Sequence, residues 1–173
     1  MVHAAQYFWY CHQCRAMKKI LVYSRPAIEA IEPPTESHVV ISINCPGEPP
    51  ANIRKNHSQL DRVNLFFWDI DQIPESGVVH DYGSDTAFSG IIDEDLCQLR
   101  DAQTIIDMIE AHPEVDQILV HCTAGRSRSA AVAAALHKIL NGSDEPIFGN
   151  AYYRPNMRVY RMILEEWYNR HQQ

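Results

Sequence analysis

The sequence lacks any apolar stretch near the roughly 18 residues that a helix needs to cross a bilayer, so no membrane span is expected. Basic residues are in the minority, 15 Lys and Arg against 22 Asp and Glu for a net charge of -7. That balance argues against a general nucleic-acid binder, which needs a basic surface to displace counterions. Any phosphate site must therefore be locally basic within an acidic chain. The five cysteines (Cys11, Cys14, Cys45, Cys97, Cys122) are an odd number. A chain of 173 residues can bury a core without staples, so a reducing compartment fits better than a disulfide framework. The start of the chain has an apolar patch but lacks the charged lead, long apolar core and cleavage site of a secretory signal, and a cytoplasmic location is expected. Cys11 and Cys14 have half the spacing of a zinc site, with no second pair to complete it. Residues 1–18 are accordingly read as an N-terminal appendage and residues 19–173 as one domain, without internal repeats.

Four short runs rich in Val, Ile and Leu, at 20–24, 38–44, 62–69 and 117–121, predict strands. Two of them are apolar throughout, as expected when both faces of a parallel sheet are covered. Helices are predicted at 26–31, at 94–111 from the spacing of Leu96, Leu99, Ala102, Ile105, Ile106 and Ile109, at 129–140 and at 156–168. Asn141-Gly142 supplies a stop signal for the third of these. Strands alternating with helices predict an α/β single-domain sandwich around a central, mostly parallel sheet. Residues 45–57 and 73–90, dense in Pro, Gly, Ser and Asp, read as loops.

The chemistry concentrates at 121–129 (HCTAGRSRS), where the fourth strand gives way to the third helix. Such a turn points backbone N–H groups at an anion, and the helix N-terminus adds positive potential. The segment Cys122, Thr123, Ala124, Gly125, Arg126, Ser127, Arg128 can curl into a half-circle whose amides converge on phosphate oxygens. This cradle would bind a phosphate dianion, favour the Cys122 thiolate over the thiol and stabilise charge developing in the reaction. Arg128 adds a planar two-pronged donor that lysine would not reproduce. Gly125 permits the tight turn, and Ser129 can donate its hydroxyl to the Cys122 sulfur. Arg126 projects from the loop toward a substrate or toward solvent. Arg154, Arg158 and Arg161 are expected to pair with Glu165 and Glu166 along the last helix.

The series His121-Cys122-x5-Arg128-Ser129 resembles the signature of the protein tyrosine phosphatase superfamily, and Ala124 to Ser129 resembles its dual-specificity-like branch. Phe67-Trp68-Asp69-Ile70 is similar to an aromatic-x-Asp-Ile sequence of small bacterial predicted tyrosine phosphatases, and Arg154-Pro155-Asn156 adds a weaker likeness. The resemblance implies that residues 19–173 form a catalytic domain with Cys122 as nucleophile, Arg128 as phosphate binder, no metal, no cofactor and an aspartate as general acid. Thr123 to Ser127 would bind the phosphate. The acid needs a carboxyl near the strand C-termini, which makes Asp69 the first choice and Asp71 the second. Asp93 and Asp95, 29 and 27 residues before Cys122, lie nearer the separation usual in the family than Asp69 at 53, and Asp85 is a further alternative. A phosphorylated protein is the leading substrate, with dual specificity, an inositol phosphate or a nucleotide 5'-phosphate behind it. The rivals are a catalytically silent phosphate-binding module and a thiol-redox enzyme, the latter disfavoured because the loop holds no resolving cysteine.

Overall fold

A computed structural model describes residues 17–73, 75, 78–80 and 87–171; Cys11, Cys14 and Asp85 lie outside the described residues. Four parallel strands form the central sheet: β1 (Lys19–Ser24), β2 (His38–Asn44), β3 (Gln59–Phe66) and, after a separate antiparallel pair β4 (Val78–His80) and β5 (Ala87–Ser89), β6 (Gln117–Cys122). Their order is β1-β6-β2-β3, so β6 sits in the interior and every residue of β2 and β6 is buried. That explains the near-continuous apolar runs, since both faces of these strands are covered.

Alternate side chains sort to unequal layers. On one face α1 (Arg25–Ala30) sets Ile28 against Val40 and Leu119. On the other, α2 (Leu99–Ala111), α3 (Arg128–Asn141) and α5 (Met157–His171) enclose the main core with Val39, Ile41, Ile43, Ile118, Val120 and Cys122. Helix α3 is buried almost all round, through the run Ala130 to Leu136. Its alanines let sheet and helices approach closely at little side-chain entropy cost. Gly142, at φ +82°, ends it in the left-handed conformation, as the Asn141-Gly142 pair predicted. Among the described residues no helix is long and apolar enough to cross a membrane.

Three sequence expectations need correction. The third strand covers 59–66 instead of 62–69, because its register follows β2, which begins pairing at Gln59 and ends at Asn44 opposite Phe66. The helix expected from 94 begins at Leu99, preceded by a single 3₁₀ turn at Asp93–Asp95. Gln98 starts α2 by accepting Asp101 as a cap partner, its backbone N–H donating to Asp101 Oδ2 at 2.8 Å. The stretch 73–90 contains the β4–β5 pair, and a short helix α4 (Glu145–Phe148) precedes α5.

Candidate active site

Cys122 is the last residue of β6, and its side-chain parity points it to the α3 layer, where it is 1% exposed. Its Sγ lies 3.0 Å from Ser129 Oγ and accepts from the Gly125 backbone N–H at 3.3 Å. The sulfur is therefore held between a hydroxyl and an amide N–H. The loop from Cys122 to Arg128 closes against the start of α1: the Arg25 N–H donates to the Thr123 carbonyl at 3.1 Å. Gly125 packs there at φ +69°, and a Cβ on it would stand 2.7 Å from the Ser24 nitrogen and 2.9 Å from the Tyr23 carbonyl oxygen. Gly125→Ala is therefore expected to strain or displace the loop. The left-handed backbone alone costs about 1–3 kcal/mol. Thermal unfolding should show the loss, and orthovanadate binding should weaken with it.

Arg128 opens α3 and is 4% exposed. Its Nη1 donates to the carbonyls of Phe67 at 2.8 Å and Asn44 at 3.4 Å; Nη2 donates to Thr123 Oγ1 at 2.9 Å and Cys45 Sγ at 3.5 Å. Nε is buried without a hydrogen-bond partner among the described residues, 4.0 Å from Asp69 Oδ2. Burial works against the guanidinium's charge, but the facing Cys122, Cys45 and Asp69 outweigh it and hold its pKa above the ordinary value. One edge of the guanidinium is thus anchored to backbone, while the Nε–Nη2 edge turns toward the loop.

Of the four described aspartates weighed as acids, Asp69 alone meets the loop. Ser127 Oγ donates to its Oδ1 at 2.6 Å, and Asn156 Nδ2 donates to the same oxygen at 3.1 Å. Asp69 lies beyond the end of β3, where the chain leaves the sheet because β2 also ends, and the Trp68 N–H donates to the Asp95 carbonyl at 2.9 Å. Asp93 is occupied elsewhere: Arg158 grips both of its oxygens at 2.8 Å, and chiefly that hydrogen bonding holds its pKa below the usual carboxylate range. Asp95 Oδ2 accepts from the Ile92 N–H at 3.1 Å, and Asp71 Oδ1 from the Arg158 N–H at 3.4 Å. The expected pairing of Arg158 with Glu165 or Glu166 is replaced by this Asp93 pair, while Glu166 pairs with Arg170. The local sequence could not reveal that, because Asp93 is 65 residues away.

Arg126 and Thr123 are exposed at the rim with Ala124. Arg126 Nε donates to the Tyr152 carbonyl at 3.1 Å, and its guanidinium carbon lies 5.1 Å from the Tyr152 ring centroid. His121 points to the opposite face of the sheet, 2.7 Å from Ser42 Oγ, and burial foremost pushes its pKa down to about 4. It is neutral at physiological pH and supports the strand from behind.

Sequence reasoning missed three contributors. Asn44 and Cys45, at the end of β2, reach the site only because β2 lies beside β6, and no motif marks them. Asn156 carried a signal in the Arg-Pro-Asn segment, though not its attachment to Asp69.

No family model matches the sequence, and no curated protein matches it either. Among solved structures, human DUSP28 superposes with a TM-score of 0.52 over 89% of this chain and 95% of its own, at 16% identity. Human tyrosine phosphatase-like serine/threonine/tyrosine-interacting protein gives 0.46 over 80% of each chain at 20% identity. PTPMT1 in complex with PI(5)P gives 0.43 at 17% identity, over 75% of this chain and 76% of its own. The four-stranded parallel sheet with its flanking helices is therefore an α/β fold shared with human DUSP28.

Proposed function

We propose that this protein is a cysteine-dependent phosphate monoester hydrolase acting on phosphotyrosine in proteins, with residues 19–173 as its catalytic domain. The observation that carries the reading is Arg128: a buried guanidinium anchored through Nη1 to two carbonyls, with Nε making no hydrogen bond among the described residues. Leaving a buried donor unpaired costs roughly 1–3 kcal/mol. A phosphate oxygen in the loop would satisfy it, together with the converging amides and the helix N-terminus.

In the first step the Cys122 thiolate attacks phosphorus in line, the P–O ester bond breaks, and Asp69 gives its proton to the departing oxygen. In the second, Asp69 takes a proton from the attacking water, the P–S bond breaks, and the Ser129 hydroxyl receives the returning sulfur charge at 3.0 Å. A thiolate of this kind requires a reducing environment, which is the basis for proposing a cytoplasmic location. The aryl preference rests on the rim, where Arg126 over exposed Tyr152 offers a flat cationic-aromatic wall to a substrate ring.

The test is turnover of para-nitrophenyl phosphate in EDTA, acid-quenched during turnover and digested. The expected result is a phosphoryl group on the peptide containing Cys122. Faster release of phosphate from phosphotyrosine than from phosphoserine peptides would support the substrate class. Turnover without a labelled Cys122 peptide would refute the covalent route, and orthovanadate binding without turnover would make the protein a silent phosphate-binding module.

A further inference from the structure

Asn156 uses its two amide atoms for two different tasks. Its Oδ1 accepts the Val159 N–H at 3.1 Å, while the Tyr160 N–H donates to its backbone carbonyl at 3.1 Å, so Asn156 is the N-cap of α5. This requirement orients the amide, because a backbone N–H must face the oxygen; the nitrogen then faces Asp69 Oδ1. Asn156 is 4% exposed, and its backbone N–H donates to the Ser127 carbonyl at 3.4 Å. One residue therefore joins the helix, the phosphate loop and the carboxylate.

With Ser127 Oγ also donating, Asp69 Oδ1 takes two hydrogen bonds and Oδ2 takes none from them. An oxygen accepting from an amide N–H and a hydroxyl is a poor place for a third hydrogen, so the proton of the acid form belongs on Oδ2. Oδ2 faces the buried guanidinium that opens α3, 4.0 Å from Arg128 Nε. We propose that Asn156 is a positioning residue for the general acid: with Ser127 it fixes which oxygen of Asp69 carries the proton and aims that oxygen at the leaving group. This inference rests on the reading of Asp69 as the acid.

The experiment uses Asn156→Ser, which keeps a side-chain oxygen able to cap α5 while removing the amide donor. Values of kcat/KM are compared for phenyl phosphate, whose leaving oxygen needs a proton, and 2,4-dinitrophenyl phosphate, whose leaving oxygen does not. Loss of aim should lower the phenyl phosphate value about 10- to 100-fold. The dinitrophenyl value should fall less than about 3-fold, since proton transfer contributes little there. In an Asp69→Ala background, Asn156→Ser should add nothing further. Equal losses on both esters, or losses that multiply with Asp69→Ala, would overturn the inference, as would Asn156→Ser with no effect beside a damaging Asp69→Ala. If Asp69→Ala itself leaves phenyl phosphate hydrolysis intact, the assignment of the acid fails and the inference falls with it. Orthovanadate affinity separates a damaged loop from a misaimed acid: it should stay unchanged in Asn156→Ser, and its loss would overturn a positioning role.

Discussion

Cys122→Ser is expected to reduce hydrolysis of every phosphate monoester to background while leaving the fold and orthovanadate binding in place. The substitution exchanges sulfur for oxygen at a buried position, so packing around it changes little. What changes is nucleophilicity. Ser129 Oγ and the Gly125 N–H can stabilise a thiolate, but neither can take a proton from a serine hydroxyl at neutral pH. The adjacent imidazole is turned away: His121 faces Ser42 on the other side of the sheet and stays neutral because it is buried. A serine here has no base, so the loss should be on the order of 10⁴-fold or more in kcat. Activity retained by the serine variant would mean that attack does not come from position 122, whatever the shape of the loop.

The parts of this site that could be read from the sequence are those contiguous along the chain. An apolar strand, a five-residue turn with its glycine, and an Ala-rich helix opened by Arg128 follow one another from Gln117 to Asn141, so these neighbours could be read from local spacing. That Asp69 comes to the loop could be read from the expectation that a strand end places a side chain at the rim, although the strand stops at Phe66. Its attachments were not legible. Ser127 lies 58 residues from Asp69 and Asn156 lies 87 away, and no periodicity links positions at such distances. The same reason hid Cys45, which meets Arg128 across 83 residues because two parallel strands end side by side. In the third strand the run of apolar residues misled: Phe67 continues the apolar pattern and is fully buried, yet it follows the end of the strand. Burial and strand pairing coincide throughout β2 and β6, but they part at Phe67, where the chain turns toward the site.

Arg128→Lys is expected to lower kcat/KM by about 10³-fold, near the upper end of what losing one preorganised donor costs. The charge is kept, so the size of the loss tests geometry alone. Lysine cannot donate simultaneously to Phe67 O, Thr123 Oγ1 and two phosphate oxygens, because its donors radiate from a single nitrogen on a flexible stem. The carbonyls of Phe67 and Asn44 would also lose their partner, which should cost about 1–3 kcal/mol of stability. Orthovanadate affinity should fall with kcat/KM, whereas in Cys122→Ser activity vanishes and anion binding persists. That contrast assigns binding to the guanidinium and bond making to the sulfur. If Arg128→Lys instead binds orthovanadate as tightly as the wild type, the amides and the helix N-terminus hold the anion by themselves, and the buried Nε loses its place in the account.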